Sequence, residues 1–125
     1  MSKDYILNKI EHELLSRHAD DIEPLLVLYN DITKDMPGIT INQISNSLNR
    51  LLNMGFSKCY FVTKGKWSVC KTNNSRDIEA HIRSYTHEEN VNYQSIIIDD
   101  YYFEITQEGK IEAAKTIYDA YYPLT

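Results

Sequence analysis

Hydrophobic positions along this chain change period several times, and each change predicts an element. Ile6, Leu7, Ile10, Leu14 and Leu15 recur at helical spacing and predict a helix from about Asp4 to His18. Ala19-Asp20-Asp21 interrupts it. A second helix is apolar around Leu25, Leu26, Leu28, Tyr29 and Ile32. Asp20 or Asp21 is its expected cap, and Pro24 is placed in its first turn, where a missing N–H costs nothing. Met36-Pro37-Gly38 ends it. The clearest periodicity runs from Thr40 to Met54, with Ile41, Ile44, Leu48, Leu51 and Leu52 on one stripe. Thr40 and Gln43 stand at capping-box spacing, and Gly55 supplies a left-handed terminator that lets Phe56 fold back on Leu51 or Leu52.

The period then shortens to two. Lys58 to Val62 and Lys66 to Cys70 flank Thr63-Lys64-Gly65-Lys66, a hairpin in which Val62 faces Trp67, Tyr60 faces Val69 and Cys59 faces Cys70. The first two pairs are expected on the core side. The cysteines fall on the other side, within conceivable reach of a disulfide but expected as reduced thiols. After a loop at Thr72-Asn73-Asn74-Ser75, Ser75 is positioned to cap a short helix bearing Ile78, Ile82 and Tyr85. Thr86 to Gln94 is polar and aperiodic. Ser95 to Ile98 reads as a strand, and Asp99-Asp100 as a turn or bulge. Tyr101, Phe103 and Ile105 alternate as a half-buried closing strand. From Thr106 the period becomes helical, with Ile111, Ala114, Tyr118 and Tyr121 on one stripe ending near Tyr122-Pro123. That stripe suits either internal packing or a homodimer through the C-terminal helix.

These elements describe a single α+β domain over residues 1–125, with about five helices and a small antiparallel sheet. The order of Leu25-Leu26-Val27-Leu28, then Ile44, Leu48, Leu51, Leu52 and Gly55, then Tyr102-x-x-Ile105-Thr106-x-x-Gly109 resembles winged-helix proteins of the PadR and MarR type. The resemblance implies a recognition helix at 40–54 and a wing at 58–70. Two features depart from it. Only Met36-Pro37-Gly38-Ile39 separates the apolar helix from the recognition helix, where a short helix is expected, and residues 72–99 insert an acidic stretch before the closing strand.

Charge sharpens that second departure. The net charge is −5, but residues 34–76 carry Lys34, Arg50, Lys58, Lys64, Lys66, Lys71 and Arg76 against Asp35 alone. Residues 77–104 carry Asp77, Glu79, Glu88, Glu89, Asp99, Asp100 and Glu104 against Arg83 alone. Such blocks steer charged partners, unless they interleave in space and cancel. The 42% apolar content is that of a globular chain, no run approaches the roughly 20 residues of a membrane span, and a cytoplasmic location is the default expectation.

Catalytic patterns are missing from the sequence. Gly38, Gly55, Gly65 and Gly109 read as turn or terminator residues rather than a phosphate loop. His12, His18, His81 and His87 lack zincin spacing, and two cysteines cannot alone make a structural zinc site. A non-enzymatic role without metal or cofactor is therefore the expectation. On the winged-helix reading, DNA would be met by Asn42, Gln43, Asn46, Asn49 and Arg50 on the 40–54 helix and by Lys64 and Lys66 at the hairpin tip. The acidic insertion instead favours a protein partner, in general character an immunity or antitoxin protein that neutralises a basic, nuclease-like toxin. Its contact residues would be Asp77, Glu79, Glu88, Glu89, Asp99 and Asp100, with Tyr85, Tyr93 and Tyr101 as aromatic anchors.

Overall fold

The structure, a computed structural model, describes residues 5–70, 75–87 and 99–123. Among the described residues four helices precede the closing strand: α1 (Lys9–Arg17), α2 (Leu25–Asp35), α3 (Ile41–Asn53) and α4 (Ser75–His87). α5 (Gln107–Ala113) and a 3-10 helix (Thr116–Tyr121) follow it. The strands are β1 (Glu23–Pro24), β2 (Ser57–Thr63), β3 (Lys66–Val69) and β4 (Asp100–Ile105), all antiparallel in the order β1-β4-β2-β3. The α+β class is thus as the periodicities imply. The expected strand at Ser95–Ile98 lies outside the described residues, as do Glu88, Glu89 and Tyr93.

One core joins the helices to one face of the sheet. Leu14 and Leu15 of α1, Leu25, Leu28 and Ile32 of α2, Ile44, Leu48 and Leu51 of α3, and Ile82 of α4 pack with Phe103 without measurable exposure. α3 forms where the apolar stripe predicts it. Thr40 and Gln43 make the reciprocal capping box, and Gly55 at φ 78° lets the Phe56 amide return to the Leu51 carbonyl at 3.0 Å.

The strand-to-helix corner at Thr106 explains the spacing of its residues. The Thr106 hydroxyl accepts the Gly109 amide and donates to the Gly55 carbonyl at 2.7 Å, so one side chain caps α5 and ties it to the end of α3. A Cβ at Gly109 would lie 2.1 Å from the Phe56 carbonyl oxygen. Glycine is required there by the close approach of α5 to that backbone.

Four expectations need correction. α1 starts at Lys9, not Asp4, because Asn8 and Glu11 form a capping box there. Neither Asp20 nor Asp21 caps α2. Pro24 is itself the N-cap, has no side-chain cap bond and sits in β1 opposite Tyr102, while Asp100 Oδ2 accepts the Leu26 amide at 3.1 Å. The C-terminal stripe is not one helix. α5 stops at Ala114, Lys115 is extended, and Ile111 points to solvent while Tyr118 is buried. Tyr118 accepts the Leu7 amide and donates to Glu112, Tyr121 donates to the Leu7 carbonyl, and His12 stacks on Tyr118 at 4.6 Å. Those bonds assign the two tyrosines to internal packing.

The fourth correction concerns the hairpin. Its register is as expected, with Val62 opposite Trp67 and Tyr60 opposite Val69. Its sidedness is not. Cys59 pairs with Phe103 and Phe61 with Tyr101, and this is the face against the helices. Tyr60, Trp67 and Val69 lie on the opposite face, with Trp67 52% and Val69 65% exposed. Both faces of β2 are apolar, so alternation alone could not choose between them.

Candidate functional site

The acidic candidates do not converge. Asp77 and Asp99 are exposed, and Glu79 is held by Arg83 one turn away at 3.1 Å. Asp100 is fully buried. It accepts hydrogen bonds from the Leu26 amide, from its neighbour's amide at Tyr101 (2.8 Å) and from the Tyr85 hydroxyl. His81 brings Nε2 to 3.0 Å from Asp100 Oδ1, although off the line of a hydrogen bond. Burial, and then the charge of Asp100, push the Tyr85 phenol well above its ordinary range. Asp100 and Tyr85 are therefore an internal clasp that caps α2 and pins α4, not a docking surface. Tyr101 is likewise turned inward, with ring contacts to Phe61 at 4.8 Å and His81 at 5.2 Å.

The DNA candidates fare differently. Asn42, Gln43 and Asn46 are exposed on α3, and Lys64 and Lys66 are exposed at the hairpin tip. Asn42, Asn46, Asn49 and Asn53 follow one helical stripe. Much of that polarity is already engaged. Gln43 is used by the capping box and Asn46 donates to Asn42. Asn49 is half-buried. Arg50, the helix's one cation, lies 3.3 Å from the buried Glu11 carboxylate. α4 also packs along α3.

A third surface lies where hydrophobic alternation predicts core. Across the outer face of β3, β2 and β4, the Trp67 ring lies 5.9 Å from Tyr60 and 4.8 Å from Tyr102. Val69 sits opposite Tyr60, and the Tyr60 hydroxyl donates to Glu104 at 2.9 Å. Lys58 shares this face, two residues before Tyr60, and Lys64 and Lys66 border it at the tip. A sequence signal was available. Lys58, Tyr60 and Val62 alternate with Ser57, Cys59 and Phe61, and Tyr102 and Glu104 with Tyr101, Phe103 and Ile105. Only the first set in each strand carries charge, which marks it as the wet side.

The hairpin turn itself is fixed by backbone sterics. Lys64 at φ 51° and Gly65 at φ 75° form a two-residue turn with both central residues left-handed, the hand that matches strand twist. On the inner side, Cys59 and Cys70 are free thiols beside Leu52, Asp77, Ile78 and Tyr101 in a cavity of about 140 Å³. Burial raises both thiols, Cys59 strongly, so neither is poised as a nucleophile. His18 and Ser57 make a second buried polar pair. Its Nδ1–H donates to the Leu14 carbonyl at 2.8 Å, which leaves Nε2 to accept the Ser57 hydroxyl at 2.7 Å. Both residues are buried, and the pair serves to join α1 to β2.

Among the described residues no three His, Cys, Asp or Glu side chains are grouped to hold a metal ion, and no helix is long and apolar enough to cross a membrane. No family model matches the chain, and no curated protein and no solved structure matches it either.

Proposed function

We propose that this chain is a non-enzymatic protein-binding module on a winged-helix-like frame, of the immunity or antitoxin kind. The observation that carries the binding role is the outer sheet face, where an exposed tryptophan is braced by two tyrosines. Trp and Tyr present large, stiff contact area at low entropic cost and dominate protein interfaces. Folding gives no reason for Trp67 to stand half in water. The frame is supported by the element order. α1, the short β1 and α2 precede α3, and β2 and the lysine-tipped turn follow it, an order that suits such a frame with α2 in the place of the short helix. The toxin-neutralising reading is supported by the net charge of −5 and by Asp77 and Asp99, which stay exposed to attract a basic partner.

Trp67 is the chain's one tryptophan, so its emission reports on this face directly. The test is co-expression with the product of the neighbouring gene. Retention of that protein, a blue shift of Trp67 emission and loss of both in Trp67→Ala are the expected results. If Trp67→Ala, Tyr60→Ala and Tyr102→Ala all retain the partner at unchanged affinity, the outer face is not the binding surface.

Duplex DNA is the second reading, favoured by the asparagine stripe of α3 and the exposed Lys64 and Lys66. It ranks behind because Arg50 is engaged by Glu11 and α4 lies along α3, which leaves α3 little charge with which to meet a polyanion. Salt-sensitive retention on duplex DNA, weakened by changing Asn46 and Arg50, would reverse the ranking.

A further inference from the structure

Resting on the protein-binding reading, we infer that the partner, basic where it meets Asp77 and Asp99, docks by adding one extended, acidic segment to the edge of β3 that no described strand occupies. The sheet order β1-β4-β2-β3 places β3 at a margin, and no described strand pairs beyond it. All four of its residues are exposed. The register says which backbone groups are open. The Cys70 amide donates to the Cys59 carbonyl at 3.0 Å, so residues 70, 68 and 66 bond to β2. In antiparallel pairing the alternate residues turn their N–H and C=O away, and here these are Trp67 and Val69. The same two residues put their side chains on the aromatic outer face. An added strand would therefore gain main-chain bonds to Trp67 and Val69 and lay every second side chain beside Trp67, Tyr60 and Tyr102.

Charge selects the segment. Lys66 starts β3 and Lys64 stands in the turn, so the tip end of the edge is positive, whereas Lys58 and Glu104 stand opposite each other on β2 and β4 and offset one another. Lysines along an edge also discourage a second copy of this chain, which would bring like charges together. Carboxylates alternating with apolar residues in the incoming strand complement both features.

The edge can be broken without breaking the sheet. The Val69 amide points away from β2, so Val69→Pro removes only the outward donor and is tolerated on an edge strand. The probes are synthetic peptides of about ten residues in which valine alternates with glutamate or with lysine. The glutamate peptide is expected to blue-shift Trp67 emission, and Val69→Pro to weaken it at least about tenfold with an unchanged thermal midpoint. Hydrogen exchange of the free chain should show the Trp67 and Val69 amides unprotected. Protection of those amides in the free chain means the edge is already filled and overturns the inference. So does a concentration-dependent dimer that Val69→Pro abolishes, or equal binding of the lysine peptide, or binding of neither peptide. If Val69→Pro binds the glutamate peptide as wild type while Trp67→Ala does not, strand addition is wrong and the aromatic protein-binding face stands.

Discussion

The two faces of the sheet are made from the same strands and comparable side chains, yet they are held for different reasons. The inner face carries Cys59, Phe61, Tyr101 and Phe103, and behind it lie polar groups that folding itself satisfies. Asp100 closes the N-terminus of α2 and takes the Tyr85 hydroxyl, and His18 joins α1 to Ser57. The outer face carries Tyr60, Trp67, Val69 and Tyr102, and only part of that surface is covered. Aromatic residues are thus no guide to function by themselves. What separates the faces is whether the fold uses the side chain.

That difference is largest in stability. Phe103 is fully buried, and Phe103→Ala is expected to cost about 3–5 kcal/mol through lost burial and the cavity left behind. Trp67→Ala removes a larger side chain but should cost about 1 kcal/mol or less, because half of it is already in water. Urea unfolding of the two variants checks this. A loss at Trp67 comparable to that at Phe103 would mean the outer face is core, and the comparison would collapse.

pH sharpens the contrast next. His18 is fully buried beside Phe103, and burial lowers its pKa from 6.5 to about 4. The folded pKa is below the unfolded one, so the stabilisation is complete above the unfolded value and is lost as pH falls from about 6.5 towards 4. Between about pH 7.5 and pH 5 the loss should reach about 2 kcal/mol. His18→Gln should flatten that slope. Trp67 emission should stay constant across the same window at low urea, because nothing on the outer face depends on His18. A pH-independent wild-type midpoint would show that His18 is not held neutral by the fold.

Most of the α+β fold was legible in sequence because its signals are local. The capping box of Thr40 and Gln43, the Gly55 terminator and the start of a helix at Thr106 each act within a few residues, and each formed as read. Failures came where the partner is distant. Asp100 reads as a turn residue and partner contact, and only the fold brings it to the Leu26 amide, 74 residues away. Tyr118 follows a helical stripe, yet its hydroxyl is claimed by Leu7, 111 residues earlier. The outer face was misread for another reason. Both sides of β2 are apolar, and the deciding clue is one charge in each strand, Lys58 and Glu104, set among aromatic residues that read as core.

The smallest expected effect bears on the outer face alone. Lys64 holds φ 51° in the turn, a conformation unfavourable for a side chain with a Cβ but well suited to asparagine before glycine. Lys64→Asn should therefore raise stability by about 0.5–1 kcal/mol. The same change removes one of the two lysines, Lys64 and Lys66, that select an acidic segment, so affinity for the glutamate peptide should fall by a fewfold while the fold becomes firmer. Lys64→Gly separates the causes, because it relieves the turn and removes the charge without adding an amide. A lysine kept at the cost of turn strain implies a role outside folding. If Lys64→Asn gains stability and leaves binding unchanged, the tip lies beyond the interface and the docked strand reaches no further than Lys66.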